Sequence, residues 1–188
     1  MVQKFDFLGA NSLRVVEKLS SRPYYVRELA EELNMAPSTI LSIAKSLIRE
    51  GVIFSKREKN RLTLCLSFDS VLARRIVSFS ITNKILHLAA FKKLIELKPR
   101  GAYLFGSSIE GNFSEKSDVD LCIYFEKIFD LLKVNSIKMD VEKALGREVQ
   151  LIILTPKKIE EMRKSNSNIL KEIIYSSIVL YGERLERT

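Results

Sequence analysis

Hydrophobic residues recur at helical spacing three times within the first fifty residues. Three helices are therefore predicted, the first from Asn11, the second from about Tyr25 and the third over residues 37–50. The third begins at Pro37, and proline suits the first position of a helix because no N–H group is needed there. The positions predicted to face the core are Leu13, Val16, Leu19, Val26, Leu29, Ala30, Leu33, Ile40, Ile43, Ala44, Leu47 and Ile48.

Short strand-like runs follow the third helix. Residues 52–56 and 61–67 are predicted to pair through a hairpin turn at residues 57–60. A long helical pattern then covers residues 70–97, with Ile81, Ile85, Leu88, Phe91 and Ile95 at helical spacing.

The remaining chain alternates between strands and helices. Strands are predicted over residues 101–105, 119–125, 148–154 and 178–181, and helices over residues 137–145 and 156–176. The fold class predicted is α+β, with an amino-terminal domain of three helices and a hairpin followed by a small mixed sheet with flanking helices. The predicted divisions are residues 1–70, connecting helices over 71–98, and a second domain over 99–188.

Charge is unevenly distributed along the chain. The net charge is +8, and residues 1–67 carry eleven Lys and Arg against seven Asp and Glu, residues 68–101 seven against two, and residues 102–188 thirteen against fourteen. A basic front half favours a polyanionic partner. Two isolated cysteines in predicted strands indicate a reduced, cytoplasmic protein, and the single histidine removes His-based zinc sites. Neither a signal peptide nor a membrane-spanning run is expected.

One segment combines a strand, a glycine-serine turn and two aspartates. The backbone amides of Gly106, Ser107 and Ser108 follow a predicted buried strand and are expected to point at a phosphate. Asp118 and Asp120 open the next strand, and a rise of roughly 3.3 Å per residue places their roots about 7 Å apart on one face. Two such carboxylates are ligands that Mg²⁺ prefers. The simpler interpretation is a turn capped by polar side chains before an ordinary strand.

This segment resembles the GS-x10-DxD signature of the DNA polymerase β-like nucleotidyltransferase superfamily, especially its minimal members. The resemblance implies that Gly106, Ser107 and Ser108 bind a nucleoside triphosphate, expected to be ATP, and that Asp118 and Asp120 are catalytic residues that hold Mg²⁺. It further implies transfer of a nucleoside monophosphate to a hydroxyl acceptor. Analogy to antitoxin-type members favours a protein acceptor and a separate helical partner of the HEPN type.

The chain departs from the family pattern at the third carboxylate. Gln150 occupies the position at which family members carry an aspartate on a later strand. An amide is a poorer magnesium ligand than a carboxylate. Glu148 lies one pleat away on the same face and is expected to substitute only if the strand shifts or bulges. The arginine common in the family's GS loop is also absent, since Ile109 and Glu110 stand there.

The front half resembles the winged helix-turn-helix domain of prokaryotic transcription regulators over about residues 10–67, most clearly through residues 26–33 and 38–40. The resemblance implies binding of duplex DNA, with the third helix in the major groove and the hairpin as a cationic wing. A winged domain that makes protein contacts is the alternative. The expected DNA-contacting residues are Ser38, Thr39, Ser42, Lys45, Arg49, Lys56, Arg57, Lys59 and Arg61.

Three functions are consistent with these features. The first is a DNA-binding nucleotidyltransferase that uses NTP and Mg²⁺. The second is a transcription regulator or antitoxin whose transferase domain is degenerate and senses nucleotide, and Gln150 favours it. The third is an antitoxin that acts by contact alone and needs neither ligand. The helical stretch over 71–98 also leaves a homodimer open.

Overall fold

The structure is a computed structural model that describes residues 8–58, 61–110 and 117–186. The chain divides into two compact units, the first ending at Ser80 and the second beginning at Ile81. The division falls inside a helix, within the range assigned above to connecting helices. Helices and strands both contribute to the fold, which confirms the α+β prediction.

The first unit contains three helices and a small sheet. Its elements are α1 (Ala10–Ser21), β1 (Tyr24–Tyr25), α2 (Val26–Leu33), α3 (Pro37–Arg49), β2 (Ile53–Glu58) and β3 (Arg61–Leu66), and α4 (Val71–His87) begins in this unit and ends in the second.

Helices α2 and α3 form the helix-turn-helix. Asn34 ends α2 in the left-handed conformation at a φ of 52°, which asparagine tolerates better than most residues. The chain therefore reverses in a short turn before Pro37 begins α3. Leu29, Ile40 and Leu47 are fully buried, so the apolar faces of both helices meet in one core.

The wing is an antiparallel pair. Strand β3 lies between β1 and β2, and β2 pairs with it from Ile53, opposite Leu66, as far as Glu58, opposite Arg61. Arg57 therefore belongs to a strand and not to the turn in which it was predicted. Lys59 and Asn60, the rest of that predicted turn, lie outside the described residues.

The second unit is a mixed four-stranded sheet with helices. Its elements are α5 (Ala89–Glu96), β4 (Gly101–Phe105), α6 (Ser107–Glu110), β5 (Val119–Tyr124), α7 (Leu131–Leu145), β6 (Val149–Leu154), α8 (Pro156–Lys164), α9 (Asn168–Ser176) and β7 (Ile178–Gly182). The strand order is β6-β5-β4-β7, with β5 and β6 parallel and the other pairs antiparallel.

This topology brings three strand ends to one edge of the sheet. The carboxyl end of β4 meets the amino ends of β5 and β6 there, since Phe105 lies opposite Asp120 and Asp120 opposite Gln150. On one side the sheet is covered by α9, whose Leu170 and Ile173 are buried with Phe105.

Several predicted boundaries differ from the structure. The helical pattern over 70–97, predicted to hold the connecting helices, forms α4 and α5, which meet at Leu88, whose backbone is extended. Helix α7 starts six residues earlier than predicted because Asp130 caps it, accepting hydrogen bonds from the amides of Leu132 (3.0 Å) and Lys133 (3.1 Å). The tail over 156–176 is two helices and not one. Within the described residues, no helix is both long and apolar enough to cross a membrane.

Candidate functional site

The glycine-serine turn touches the second aspartate directly. Gly106 follows β4 at a φ of +69°, and a Cβ atom placed on it would lie 2.2 Å from Oδ2 of Asp120. No other residue type fits there without displacing the carboxylate. The amide of Ser107 donates a hydrogen bond to the Asp120 carboxylate. Turn and carboxylate therefore form one unit, in which each holds the other in place.

The two aspartates lie in different surroundings. Asp120 is half-buried within β5, whereas Asp118 is exposed just before that strand. Burial raises the pKa of the Asp120 carboxyl above its ordinary value, and the nearby charges of Glu172 and Asp118 raise it further. The Ser107 hydrogen bond acts in the opposite direction by favouring the ionised form.

The charge around Asp120 suits a cation. Asp118 and Asp120 offer oxygen ligands of the type that Mg²⁺ prefers, and a bound cation would relieve their mutual repulsion as well as that from Glu172. The residues present therefore fit a divalent ion held by two carboxylates. The contribution of Glu172, on α9, was missed at the sequence level because it depends on how that helix packs on β4.

Strand β6 carries an amide, and not a carboxylate, at the position of the family's third metal ligand. Gln150 is exposed and lies directly opposite Asp120 in the parallel pair of β5 and β6. Pairing runs without a bulge from Val119 opposite Val149 to the ends of both strands. Glu148 precedes β6, and its carbonyl accepts a hydrogen bond from the Val119 amide at 2.9 Å. The strand shift that would bring Glu148 level with Asp120 is therefore not present.

Other potential metal ligands in the described part of the chain do not complete the site either. Among residues 8–58, 61–110 and 117–186, no group of three His, Cys, Asp or Glu side chains could hold a metal ion. Neither Glu148 nor Glu172 completes a three-carboxylate set with Asp118 and Asp120. The structure thus brings Gly106, Ser107 and Asp120 together, but its described residues supply no third carboxylate.

Asp118 lies at the wall of an open groove of about 700 Å³. Gln150 and Glu148 line the same groove, together with Lys138 and Arg147. Arg147 donates a hydrogen bond through Nη1 to the carbonyl of Ser117 at 3.3 Å, so its guanidinium lies beside the aspartate loop. Sequence reasoning missed both basic residues, although the place of Lys138 on the predicted helix over residues 137–145, just before β6, was a signal that could have indicated it.

Ser108 contributes differently from the other residues of the turn. Its side chain is fully buried, and Oγ has no hydrogen-bond partner among the described residues. The side chain is therefore not exposed to a ligand in this structure. Residues 111–116, which follow in the sequence, lie outside the described part of the chain.

The predicted DNA-contacting residues lie on the outside of the first unit. On α3 the side chains of Ser38, Thr39, Ser42, Lys45 and Arg49 are all exposed, as are Lys56, Arg57 and Arg61 on the wing strands. Lys59 lies outside the described residues. Ile48, predicted to face the core, is instead 39% exposed, because it lies at the margin of the apolar stripe centred on Ile40 and Leu47.

Comparison with known families agrees with both halves of this architecture. The family model described as polymerase beta, nucleotidyltransferase matches residues 83–184, and that described as bacterial regulatory protein, arsR family, matches residues 11–51. The chain belongs to the polymerase β nucleotidyltransferase family and carries a helix-turn-helix domain in front of the transferase domain.

A curated relative is the protein adenylyltransferase MntA of Thermococcus cleftensis. It is 33% identical over 72 residues, which are 38% of this chain and 69% of that protein. Two solved structures share weaker likeness. The adhesin competence repressor AdcR of Streptococcus pyogenes is 18% identical, with a TM-score of 0.41. The similarity covers 47% of this chain and 66% of that chain, which is slightly less than two thirds. A mutant toxin-antitoxin MntA-HpeT is 23% identical over 54% of this chain and 73% of its own, with a TM-score of 0.39.

The contact between Gly106 and Asp120 predicts a specific sensitivity to an added methyl group. Gly106→Ala should lower the free energy of unfolding in urea by more than Gly146→Ala does. Both glycines have positive φ values, but a Cβ at Gly146 meets nothing within 4 Å. The control should therefore cost about 1 kcal/mol from backbone strain alone, and the difference between the variants reports the displacement of Asp120. Equal losses would contradict the contact.

Because the pKa of Asp120 is raised, replacing its carboxylate with a neutral side chain should increase thermal stability by an amount that depends on pH. Because the pKa in the folded protein lies above the ordinary value of 3.8, the native state retains this proton to higher pH than the unfolded chain does. Ionisation therefore costs stability as the pH rises through the raised pKa. Without magnesium, Asp120→Asn should melt at a higher temperature than the wild type at about pH 7, and the gain should shrink toward about pH 4.

Asp140→Asn is the matched control for this measurement. Asp140 is exposed and forms a surface ion pair with Lys93 at 3.2 Å, so its neutralisation should not raise the melting temperature. A lower melting temperature for Asp120→Asn than for the wild type at neutral pH would show that the carboxylate is stabilising and that the electrostatic account is wrong.

Proposed function

We propose that this chain is a DNA-binding nucleotidyltransferase that binds a nucleoside triphosphate with Mg²⁺ and transfers its nucleoside monophosphate to a hydroxyl acceptor. The observation that carries the proposal is the unit formed by Gly106, Ser107 and Asp120, in which a turn of backbone amides touches a carboxylate. Such a unit can place the phosphates of a triphosphate beside an oxygen ligand for a cation. Family membership supports the same reaction class.

Each residue has a distinct role in the proposed reaction. The amides of the Gly106–Ser108 turn seat the triphosphate, and Asp118 and Asp120 hold the metal. Magnesium bound by these carboxylates would supply positive charge to the phosphates and lower the pKa of the acceptor hydroxyl. The acceptor oxygen forms a bond to the α-phosphorus, the hydroxyl proton passes to solvent, and pyrophosphate leaves.

The name of the relative supports a particular choice of nucleotide and acceptor. The Thermococcus relative is called a protein adenylyltransferase, which supports ATP as the triphosphate and a protein hydroxyl as the acceptor here. A separate helical protein of the HEPN type is the proposed partner, by analogy with antitoxin-type members of the family. We propose a cytoplasmic location, where the nucleotide and DNA are both available.

A second candidate function is regulation without turnover. Gln150 lies opposite Asp120, and the described residues offer no third carboxylate in its place. A transferase site that binds the triphosphate but lacks this ligand would turn over slowly, and nucleotide occupancy would then be its signal. This candidate shares its binding residues with the first, so only a transfer assay separates them.

The winged helix-turn-helix is the proposed DNA-binding element. Its exposed α3 residues are small or cationic, so the helix can approach base edges and phosphates closely. Lys56, Arg57 and Arg61 add positive charge along the wing. A homodimer through the helices over 71–98 stays a prediction.

The wing predicts a salt-dependent affinity for duplex DNA. In the full-length chain, the double variant Arg57→Ala with Lys59→Ala should bind more weakly and should reduce the slope of log affinity against log salt by about 2, since each lost phosphate contact removes roughly one unit. Fluorescence anisotropy across a salt series measures both quantities. Lys133→Ala with Lys157→Ala removes the same charge from the exposed surface of α7 and α8 and should leave the slope unchanged. A wild type that binds no duplex even at low salt would exclude the DNA-binding proposal.

The position of Gln150 predicts a gain of activity. Gln150→Asp restores a carboxylate opposite Asp120, so nucleotidyl transfer should be weak or absent in the wild type and should rise by orders of magnitude in the variant. The reason is that each 1.36 kcal/mol removed from the barrier is about tenfold in rate. The assay follows label from the α-phosphate into protein and RNA acceptors, including the protein itself.

Glu148→Ala is the informative companion variant. Strong wild-type transfer that Glu148→Ala abolishes would show that Glu148 supplies the third carboxylate and that the defect does not lie at Gln150. Equal inactivity in the wild type and both variants would favour the nucleotide-sensing regulator.

A further inference from the structure

An apolar side chain lies among the polar ones on the outer surface of α3. Leu41 is 38% exposed, and its neighbours one turn before and after are Ser38 and Lys45, both exposed. An isolated exposed leucine would need no explanation. This one, however, lies on the surface that the proposed function assigns to DNA, where each side chain faces either a base edge or a phosphate.

Leu41 also belongs to an apolar groove. The groove has a volume of about 810 Å³ and lies between the first turns of α2 and α3 and the start of β3. Pro37, Leu41 and Leu62 line it together with Val26 and the exposed ring of Tyr25. Helix α3 and the wing therefore border a groove that is largely apolar, with charged side chains of α2 and β3 also among its lining residues.

The charges around the groove favour DNA as its occupant. Arg27 and Arg61 line it, and the Arg61 guanidinium lies 5.3 Å from the centre of the Tyr25 ring. Both cations can reach phosphates that flank a base pair. The carboxylates of Glu28 and Glu31 also line the groove, and Glu28 is held by Arg22 at 2.7 Å. These carboxylates disfavour a phosphate within the groove itself, so an uncharged base edge suits it better.

We propose that Leu41, with Pro37 and Leu62 beside it, contacts the C5-methyl group of thymine in the major groove and so gives the protein a preference for thymine at that position. This methyl is the only apolar group that a base pair presents in the major groove, and side chains without hydrogen-bonding groups read it. The inference rests on the proposed DNA binding and adds the base chemistry that it recognises.

The test removes the methyl group and nothing else. Duplexes bound by the full-length chain are first selected from a random-sequence library, and the selected duplex is then synthesised with deoxyuridine in place of thymidine at one position at a time. At the contacted position the wild type should bind the deoxyuridine duplex roughly fourfold more weakly, the amount expected for one buried methyl group. Affinities are measured by anisotropy at one fixed salt concentration.

Two variants assign the effect to the groove. Leu41→Ala should bind the thymidine duplex more weakly and should no longer distinguish it from the deoxyuridine duplex. Ile48→Ala removes an equally exposed apolar side chain from the same helix, outside the groove, and should keep the fourfold difference. The comparison of the two duplexes with the wild type needs no variant, so it stands even if Leu41→Ala folds poorly.

The outcomes separate this inference from the proposed function. Duplex binding that is equal with thymidine and deoxyuridine at every position would overturn the thymine contact and leave DNA binding intact. A Leu41→Ala variant that still distinguishes the two duplexes would assign the methyl contact elsewhere and would also overturn the inference. Absence of binding to any duplex would instead remove the proposed function and this inference together.

Discussion

The contact between Gly106 and Asp120 is the constraint on which the candidate active site depends. It joins the end of β4 to the start of β5 so closely that no side chain fits at the glycine. The same closeness lets the Ser107 amide donate a hydrogen bond to the carboxylate, which is half-buried near the charges of Asp118 and Glu172. A site that concentrates negative charge in this way would be stabilised by a cation, and the proposed function places the phosphates that accompany that cation at the turn beside it.

The register of β5 and β6 determines what this site lacks. Because Gln150 lies level with Asp120, the third position carries an amide that can donate or accept hydrogen bonds but brings no charge to a metal. In the proposed reaction, binding of a triphosphate needs the turn and the two aspartates, whereas activation of a hydroxyl depends more on the missing ligand. The active transferase and the nucleotide-sensing regulator differ only in the activation of the hydroxyl, so the single substitution Gln150→Asp separates these two proposals.

Much of this architecture could be predicted from local patterns. The stripes of α1, α2 and α3 are visible in sequence because burial imposes a period, and the strands of the second sheet are visible as short apolar runs. The residues of the GS turn and the aspartate pair are close enough along the chain to be recognised. The break at Leu88 was hidden by an apolar spacing that continues through it. The charge of Glu172 and the position of Arg147 depend on packing and on a hydrogen bond to Ser117, which no local pattern reports.

Isothermal titration calorimetry with each of the four nucleoside triphosphates tests the central claim most directly. The wild type should bind at least one of them in millimolar magnesium, and a chelator should weaken that binding strongly. Asp120→Ala should lose the magnesium-dependent part because it removes a metal ligand beside the turn. A wild type that binds no triphosphate in magnesium would contradict the account and would leave the domain to act through protein contact alone.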